Sequence, residues 1–199
     1  MLPIRHVDIS TDAQYIPIQK LKSIVKDNVH GGFFSLKTAQ LENALAQLPW
    51  VESSAIQRDW PDKLKVIINE RQPLARWGSK GVVDKSGQLF FPAVASIPQT
   101  LPTIYGPIER LADVVGLYQQ LASLTQSVSL NLAVLSLDDR GSWQLVLSKG
   151  TQVILGREDM LQRYKRFVSL YPRIIAKSSR KALTVDLRYP NGLAVKWQK

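Results

Sequence analysis

Ala55-Ile56-Gln57-Arg58-Asp59-Trp60-Pro61-Asp62-Lys63-Leu64-Lys65-Val66-Ile67-Ile68-Asn69-Glu70 reads as two β-strands joined by a turn. The strands run from Ala55 to Trp60 and from Lys63 to Glu70; Leu64, Val66 and Ile68 recur with the period of two that puts them on one face of a sheet. Pro61-Asp62 is the turn signal between them. Upstream the period changes. Ile18, Leu21 and Val25 fall at i, i+3 and i+7 behind Pro17, which suits a helix's first turn. His30-Gly31-Gly32 is expected to end that helix, because glycine tolerates the positive φ of a C-terminal cap. Ser35 is the expected N-cap of a second helix with the stripe Leu41, Ala44, Leu45, Leu48, and Pro49 stops it. At the start of the chain, Val7 and Ile9 share one face of an extended segment. The result is a β-α-α-β-β unit with its helices on one sheet face.

Glu70-Arg71-Gln72-Pro73 reads as a short, stiff junction, so two domains are expected, 1–71 and 72–199. The second is mostly β. Short strands are expected at Ala75-Arg76-Trp77, Gly81-Val82-Val83 and Leu89-Phe90-Phe91, with a hairpin turn at Asp84-Lys85-Ser86-Gly87. Residues 92–107 hold Pro92, Pro98, Pro102 and Pro107, a loop that cannot stay long in a central sheet. A helix over Ile108–Thr125 turns Leu111, Val115, Tyr118 and Ala122 inward, and strands follow at Leu130–Leu137, Ser142–Ser148 and Thr151–Leu155. A last helix follows Gly156, with Leu161, Tyr164, Phe167, Val168 and Tyr171 inward, Arg163, Lys165 and Arg166 outward, and Pro172 at its end. Leu183, Val185, Leu187 and Leu193, Val195, Trp197 alternate on either side of Asn191-Gly192, a strong hairpin signal. The fold class is therefore α+β: a β-α-α-β-β domain, then a mostly antiparallel β domain with two helices.

The terminal strand is expected at a sheet edge, with a row of unpaired N–H and C=O groups. Two readings stand side by side: an edge blunted for solubility by Lys196 and Lys199, or an edge kept free for a partner strand.

Charge is unevenly spread along the 199 residues, whose formal net charge is +10. Residues 1–71 carry nine basic and eight acidic side chains, whereas residues 156–199 carry eleven and three. The C-terminal excess attracts an acidic partner or forms a solvated basic face. Apolar content of 45% argues against wholesale disorder. No run reaches the roughly 20 apolar residues of a membrane helix, and no signal peptide opens the chain. The absence of cysteine excludes disulfides, thiolate zinc sites and thiol nucleophiles.

No enzyme motif is present, and no cofactor is expected. His6 and His30 lack a carboxylate or histidine at ligand spacing, and no G-x-S-x-G, Walker A or dinucleotide signature occurs. Asp138-Asp139 reads as a turn, and Glu158-Asp159 as acidic complement to a helix start. Nucleic-acid binding is disfavoured too: Tyr164, Phe167 and Tyr171 sit at core spacing and form no stacking platform.

Several strings, in order from near residue 30 to Trp197, resemble the extracytoplasmic part of the FtsQ/DivIB bacterial cell-division family. They are Leu48-Pro49-Trp50-Val51, Ile56-Gln57-Arg58-Asp59-Trp60-Pro61 with Leu64-Lys65-Val66, and Glu70-Arg71-Gln72-Pro73-Leu74-Ala75-Arg76-Trp77. After these come Val83-Asp84-Lys85-Ser86-Gly87, Leu101-Pro102 with Gly106-Pro107, and Ser142-Trp143-Gln144-Leu145. Arg163 through Phe167 ahead of Tyr171-Pro172, and Val185-Asp186-Leu187-Arg188-Tyr189, complete the series.

The resemblance implies a POTRA domain followed by a β domain. It also implies a short cytoplasmic tail and one transmembrane helix upstream of this sequence, which anchors the protein to the inner membrane. It further implies a non-enzymatic, bitopic divisome scaffold on the periplasmic face at the septum, which binds FtsB and FtsL and helps regulate septal peptidoglycan synthesis. In the family, FtsB adds a strand to the last strand of the β domain. Carried over, its contacts fall on Arg140, Arg188, Tyr189, Asn191, Gly192, Leu193, Ala194, Val195, Lys196 and Trp197. The two arginines suit partner carboxylates, and Tyr189 and Trp197 offer rigid anchoring surfaces. Pro190 has no N–H, so the pairing strand is expected to begin after it. A recruitment face of the POTRA domain, toward FtsK or another divisome protein, maps near Ser53, Ile56 and Arg58. The rival reading is a POTRA-bearing part of another envelope assembly or secretion machine.

Overall fold

The computed structural model describes residues 3–30 and 32–198. In chain order the elements are β1 (His6–Thr11), α1 (Ile18–Asn28), α2 (Thr38–Ala46), β2 (Val51–Asp59), β3 (Lys63–Glu70), β4 (Pro73–Trp77), β5 (Gly81–Asp84) and β6 (Leu89–Phe90). These are followed by β7 (Thr103–Tyr105), α3 (Leu111–Gln126), β8 (Leu132–Leu137), β9 (Trp143–Leu147), β10 (Gln152–Gly156), α4 (Met160–Ile174), β11 (Ala182–Asp186) and β12 (Ala194–Trp197). They fall into two units: Met1–Pro73 with Lys80–Pro98, and Leu74–Ser79 with Gln99–Lys199.

In the first unit β3 is the central strand of a three-stranded sheet ordered β1-β3-β2. β2 pairs with it antiparallel across a short turn, and β1 pairs parallel, the chain passing from β1 through α1, α2 and β2 before it reaches β3. Leu64, Val66 and Ile68 of β3 are at most 1% exposed, and Leu21, Leu41 and Leu45 of the helices are wholly buried. Each such aliphatic side chain contributes about 1.5–3 kcal/mol on burial.

The helix ends differ from the sequence reading. α1 stops at Asn28, where the Asn28 Nδ2 group donates to the Ile24 carbonyl (2.8 Å) and the Val29 N–H to the Val25 carbonyl (2.9 Å). Gly31 lies outside the described residues. Ser35 is not the cap of α2, which begins at Thr38 after Lys37; the Ser35 hydroxyl instead accepts the Gly32 N–H (2.9 Å). Serine competes for local backbone groups in a turn as readily as at a helix start.

Two polar clusters complete this unit. The Glu70 carboxylate, 3% exposed, accepts the backbone N–H groups of Gln14 (2.6 Å), Tyr15 (2.9 Å) and Ile16 (2.8 Å), tying the approach to α1 to the end of β3. The β5–β6 hairpin, which the sequence reading placed with the second domain, clusters with this unit. Asp84, in its turn, accepts from Ser86 N (3.0 Å), Ser86 Oγ (2.6 Å), Gln88 N (2.9 Å) and Arg71 Nη1 (2.8 Å). Burial alone would raise the Asp84 pKa, but these donors outweigh it and hold the carboxyl below its ordinary value. Trp50 stacks on Tyr15 (4.4 Å between centroids), meets Phe90 edge-on (5.0 Å) and donates its Nε1–H to Ser96 (2.9 Å).

Within the second unit the strands run in the order β12-β11-β10-β9-β8-β7-β4. The sheet is mixed. β8–β9, β9–β10 and β11–β12 are antiparallel, whereas β4–β7, β7–β8 and β10–β11 are parallel. Strand alternation looks the same in either case; α3 and α4 are the crossovers that make β7–β8 and β10–β11 parallel. β7 has only three residues, between Pro102 and Pro107, and still sits inside the sheet. α3 buries Val114, Val115, Tyr118, Leu121 and Thr125, with Leu111 and Ala122 only half-buried, so its inner face is turned from the expected one. Thr125 and Tyr164 share a buried hydrogen bond between α3 and α4 (2.6 Å); burial pushes the Tyr164 phenol up to about 12 despite that bond. Pro172 lies inside α4, which continues to Ile174.

Candidate functional site

Among the described residues β12 closes one side of the second unit's sheet, paired antiparallel with β11 only. The register places Trp197 opposite Ala182, Lys196 opposite Thr184, Val195 opposite Val185 and Ala194 opposite Asp186. The irregularity therefore lies on β11, at Leu183, and the alternation of β12 is unbroken. That bulge turns Leu183 out to 36% exposure, against its expected place in line with Val185 and Leu187. Gln198 N–H donates to the Lys181 carbonyl (2.8 Å), so the backbone groups of Lys196 and Ala194 also face β11. The N–H and C=O of Val195 and Trp197 consequently point away from the sheet. The strand Leu193–Trp197 expected from the sequence is thus a sheet edge with a definite outward register.

The connection between β11 and β12 is longer than Asn191-Gly192 alone suggests. It runs over residues 187–193, with Tyr189 54% exposed and Asn191 exposed at its tip. Asp186 accepts the Arg188 backbone N–H (3.0 Å), and its carboxylate takes the Arg188 side chain through Nε (3.0 Å) and Nη2 (2.6 Å). That Arg188 hydrogen bond, against the opposing effect of burial, lowers the Asp186 pKa, and the same pair raises that of Arg188. One side of the guanidinium fork is therefore already occupied, leaving the Nη1 side for an outside carboxylate.

Arg140 sits in the β8–β9 turn, where Asp138 Oδ1 accepts the N–H groups of Arg140 (3.0 Å) and Ser142 (2.7 Å). Asp138 thus organises a turn, as expected. Arg140 and Arg188 line one hollow of about 500 Å3 together with Arg157, Glu158 and Arg163. The sequence reading did not assign Arg157 or Arg163 to this site. Gly156 makes the arrangement possible: its φ is +86°, and a Cβ there would lie 2.8 Å from Arg163 Nη1 and 3.1 Å from Arg188 Cγ.

The basic face of α4 is also not the expected one. Only Lys165 is exposed; Arg163 and Arg166 are half-buried, Arg163 turned onto β10 and Arg166 onto the connection that follows β11. Arg163 Nη1 donates to the Leu155 carbonyl (2.9 Å). Arg166 donates to the carbonyls of Pro190, Tyr189 (2.9 Å) and Leu187 (3.4 Å). Part of the C-terminal positive charge is committed to the protein's own backbone.

In the first unit Ser53, Ile56 and Arg58 all lie on β2, an edge of the three-stranded sheet, but on different faces. Ile56 and Arg58 pair with Val66 and Leu64 on the helix-covered face, and Arg58 Nη2 donates to the Leu36 carbonyl (2.8 Å). Ser53 pairs with Asn69 on the opposite face and accepts its Nδ2–H (2.9 Å). The three share an edge, not a surface. Among the described residues no helix is long and apolar enough to cross a membrane, and no cluster of His, Asp and Glu has metal-site geometry.

Comparisons with known proteins agree with this architecture. Residues 2–71 match the POTRA domain, FtsQ-type, and residues 75–188 match the C-terminal domain of the cell division protein FtsQ/DivIB. The chain is 39% identical over 197 residues to the cell division protein FtsQ of Coxiella burnetii, covering 99% of this chain and 81% of that protein. It is 35% identical over 193 residues to the FtsQ of Xanthomonas campestris pv. campestris, covering 97% and 69%. With the FtsQ of Allochromatium vinosum the identity is 34% over 197 residues, covering 99% and 79%. The POTRA-plus-β organisation, the ordered strings of sequence and these similarities over nearly the whole of this chain lead to one conclusion: the chain belongs to the FtsQ/DivIB family of bacterial cell-division proteins, which act as divisome scaffolds and not as enzymes.

Proposed function

We propose that the chain is the periplasmic region of a bitopic divisome scaffold that binds FtsB, and with it FtsL, by accepting an FtsB strand on β12. On this reading it works at the periplasmic face of the inner membrane at the septum and helps regulate septal peptidoglycan synthesis. The single observation that carries the reading is the outward register of β12: Val195 and Trp197 hold four backbone groups away from the sheet. An added strand satisfies those groups in the β-augmentation mode. Tyr189 beside the edge supplies an exposed aromatic anchor, and the hollow lined by Arg140 and Arg188 supplies positive charge for acidic side chains flanking the partner strand.

The chain is read as two working modules, 1–71 and 72–199, in keeping with the spans 2–71 and 75–188 of the two family matches. The POTRA module offers the β2 edge at Ser53, Ile56 and Arg58 to a recruiter such as FtsK. Because these residues divide between the two faces, a recruiter would engage the edge itself.

Titrating isotope-labelled protein with a peptide from the periplasmic part of FtsB tests the proposal. Amide shifts are expected to concentrate at 189–197 and at Arg140, with protection of the Val195 and Trp197 amides in the complex. Binding that leaves the β12 amides unshifted would overturn the strand-addition reading.

A further inference from the structure

We propose that Arg166 is a positioning residue that pre-orders the β12 edge; this rests on the reading of β12 as the docking strand. The connection over 187–193 is the least tethered part of the site. Its start is held where Leu187 N–H donates to the Ile154 carbonyl (2.9 Å) and Arg188 N–H to Asp186. Beyond that, among the described residues, the contacts from Arg166 are the only hydrogen bonds joining 189–193 to the body of the unit. Pro190 cannot help, since it has no N–H to donate.

Arg166 is suited to the task. It projects from α4, one turn after Arg163, and its buried neighbours Tyr164 and Phe167 anchor that part of the helix in the core. From this fixed base one guanidinium meets three carbonyl oxygens, those of Leu187, Tyr189 and Pro190. A lysine ammonium could not span them, because its donors radiate from one point whereas the guanidinium fork spreads them in a plane. Arg166 Nε is buried without a partner, so the side chain accepts a desolvation cost to hold this position. The carbonyls it holds flank Tyr189 and lead directly into β12.

The energetic consequence follows from chain entropy. Fixing the backbone of one residue costs about 1–2 kcal/mol, so a loose 189–193 segment must be ordered by any strand that docks on β12. With Arg166 in place that ordering precedes docking, and a larger fraction of molecules is competent to bind.

Hydrogen exchange of the free protein, together with binding kinetics for the FtsB peptide, tests the inference with Arg166→Ala and with Arg166→Gln, which keeps the stem and most of the packing. In both variants exchange of the inward-facing amides of Ala194, Lys196 and Gln198 is expected to accelerate at least about tenfold while β8–β10 stay protected as in the wild type. Peptide affinity is expected to fall about tenfold, mainly through slower association. Arg166→Lys is expected to resemble Arg166→Gln. A purely structural role would instead loosen β8–β10 along with β12. Unchanged exchange at the Ala194, Lys196 and Gln198 amides in Arg166→Gln would overturn the inference whatever the affinity does. Faster exchange with unchanged affinity would uphold the clamp and overturn the docking reading of β12.

Discussion

Val195→Pro separates the outward and inward sides of β12 with one atom. Proline removes the backbone N–H of Val195, which points away from β11 and takes no part in the β11–β12 ladder. Proline is tolerated on an edge strand when its missing N–H faces out, and the preceding residue is already extended, so the fold is expected to lose less than about 1 kcal/mol. The docking side loses more. Of the four outward groups on Val195 and Trp197, one donor disappears, a net loss of about 0.5–1.5 kcal/mol. The ring also occupies the space of the incoming strand and spoils the neighbouring bond, for a total of about 2 kcal/mol, or roughly 30-fold in affinity. Lys196→Pro is the matched control, since the Lys196 N–H faces β11 and its loss breaks the ladder itself. Calorimetry with the FtsB peptide and thermal melts of both variants give the contrast: weak binding with a normal melt for Val195→Pro, and a lowered melt for Lys196→Pro. Wild-type affinity in a folded Val195→Pro protein would refute strand addition on β12. A collapsed melt for Val195→Pro alone would refute the assigned register.

Tyr189→Ala and Trp197→Ala are each expected to cost at least about 2 kcal/mol of FtsB affinity in calorimetry while leaving the fold intact. Arg140→Glu and Arg188→Glu are expected to weaken binding, and wild-type affinity to fall as salt rises; a salt-independent affinity would remove the hollow from the site. For Asp84 the folded carboxyl lies below its ordinary value, so its stabilisation is full above the unfolded pKa of about 3.9 and is lost as pH falls through the lower folded value. Asp84→Asn is therefore expected to lower stability at neutral pH by about 2 kcal/mol, with the gap to wild type closing in acid melts below about pH 4. At the α3–α4 contact the two partners are unequal: Thr125 also bonds the Leu121 carbonyl (2.5 Å), whereas among the described residues the Tyr164 hydroxyl has Thr125 alone. Chemical denaturation is expected to show Thr125→Val, which orphans a buried phenol, costing more than Tyr164→Phe, about 2 against about 1 kcal/mol.

The parts of this fold that were legible in the sequence are those set by contacts of short range. The alternation of Leu64, Val66 and Ile68 correctly gave the phase of β3, because a half-buried strand needs nothing but a period of two. The two helices were visible in Leu21, Val25, Leu41 and Leu45 because one buried helix face needs only a spacing of about three to four residues. What escaped were features settled by a distant partner. Leu183 left its expected face because β11 bulges against β12, and nothing in the residues around Leu183 announces a bulge. Ser35 is the local exception: it bonds Gly32 in the turn before α2 and so does not cap the helix. The β5–β6 hairpin joined the first unit through Asp84 and Phe90, which meet Arg71 and Trp50 far back in the chain. In the candidate site the edge strand was legible, whereas Arg157 and Arg163 gather beside Arg140 and Arg188 only once β8, β10, α4 and β11 are assembled.

The fate of the arginines changes how the C-terminal charge should act. Eleven basic side chains against three acidic ones over residues 156–199 suggest, taken alone, a surface that binds by charge. Arg163 and Arg166 instead hold backbone carbonyls, and Arg188 gives half of its fork to Asp186. The charge left facing outward around the edge is carried by Lys196 on β12 and by Arg140, Arg157 and one side of Arg188 in the hollow, where Asp138 and Glu158 offset part of it. A few exposed charges speed encounter and orient an acidic partner, but they hold it weakly once screened. On the strand-addition proposal, retention then falls to the backbone groups of Val195 and Trp197 and to the faces of Tyr189 and Trp197. Salt should consequently slow association of the FtsB peptide more than it hastens release. If dissociation carried most of the salt dependence, the arginines would be the grip and the strand edge only the guide.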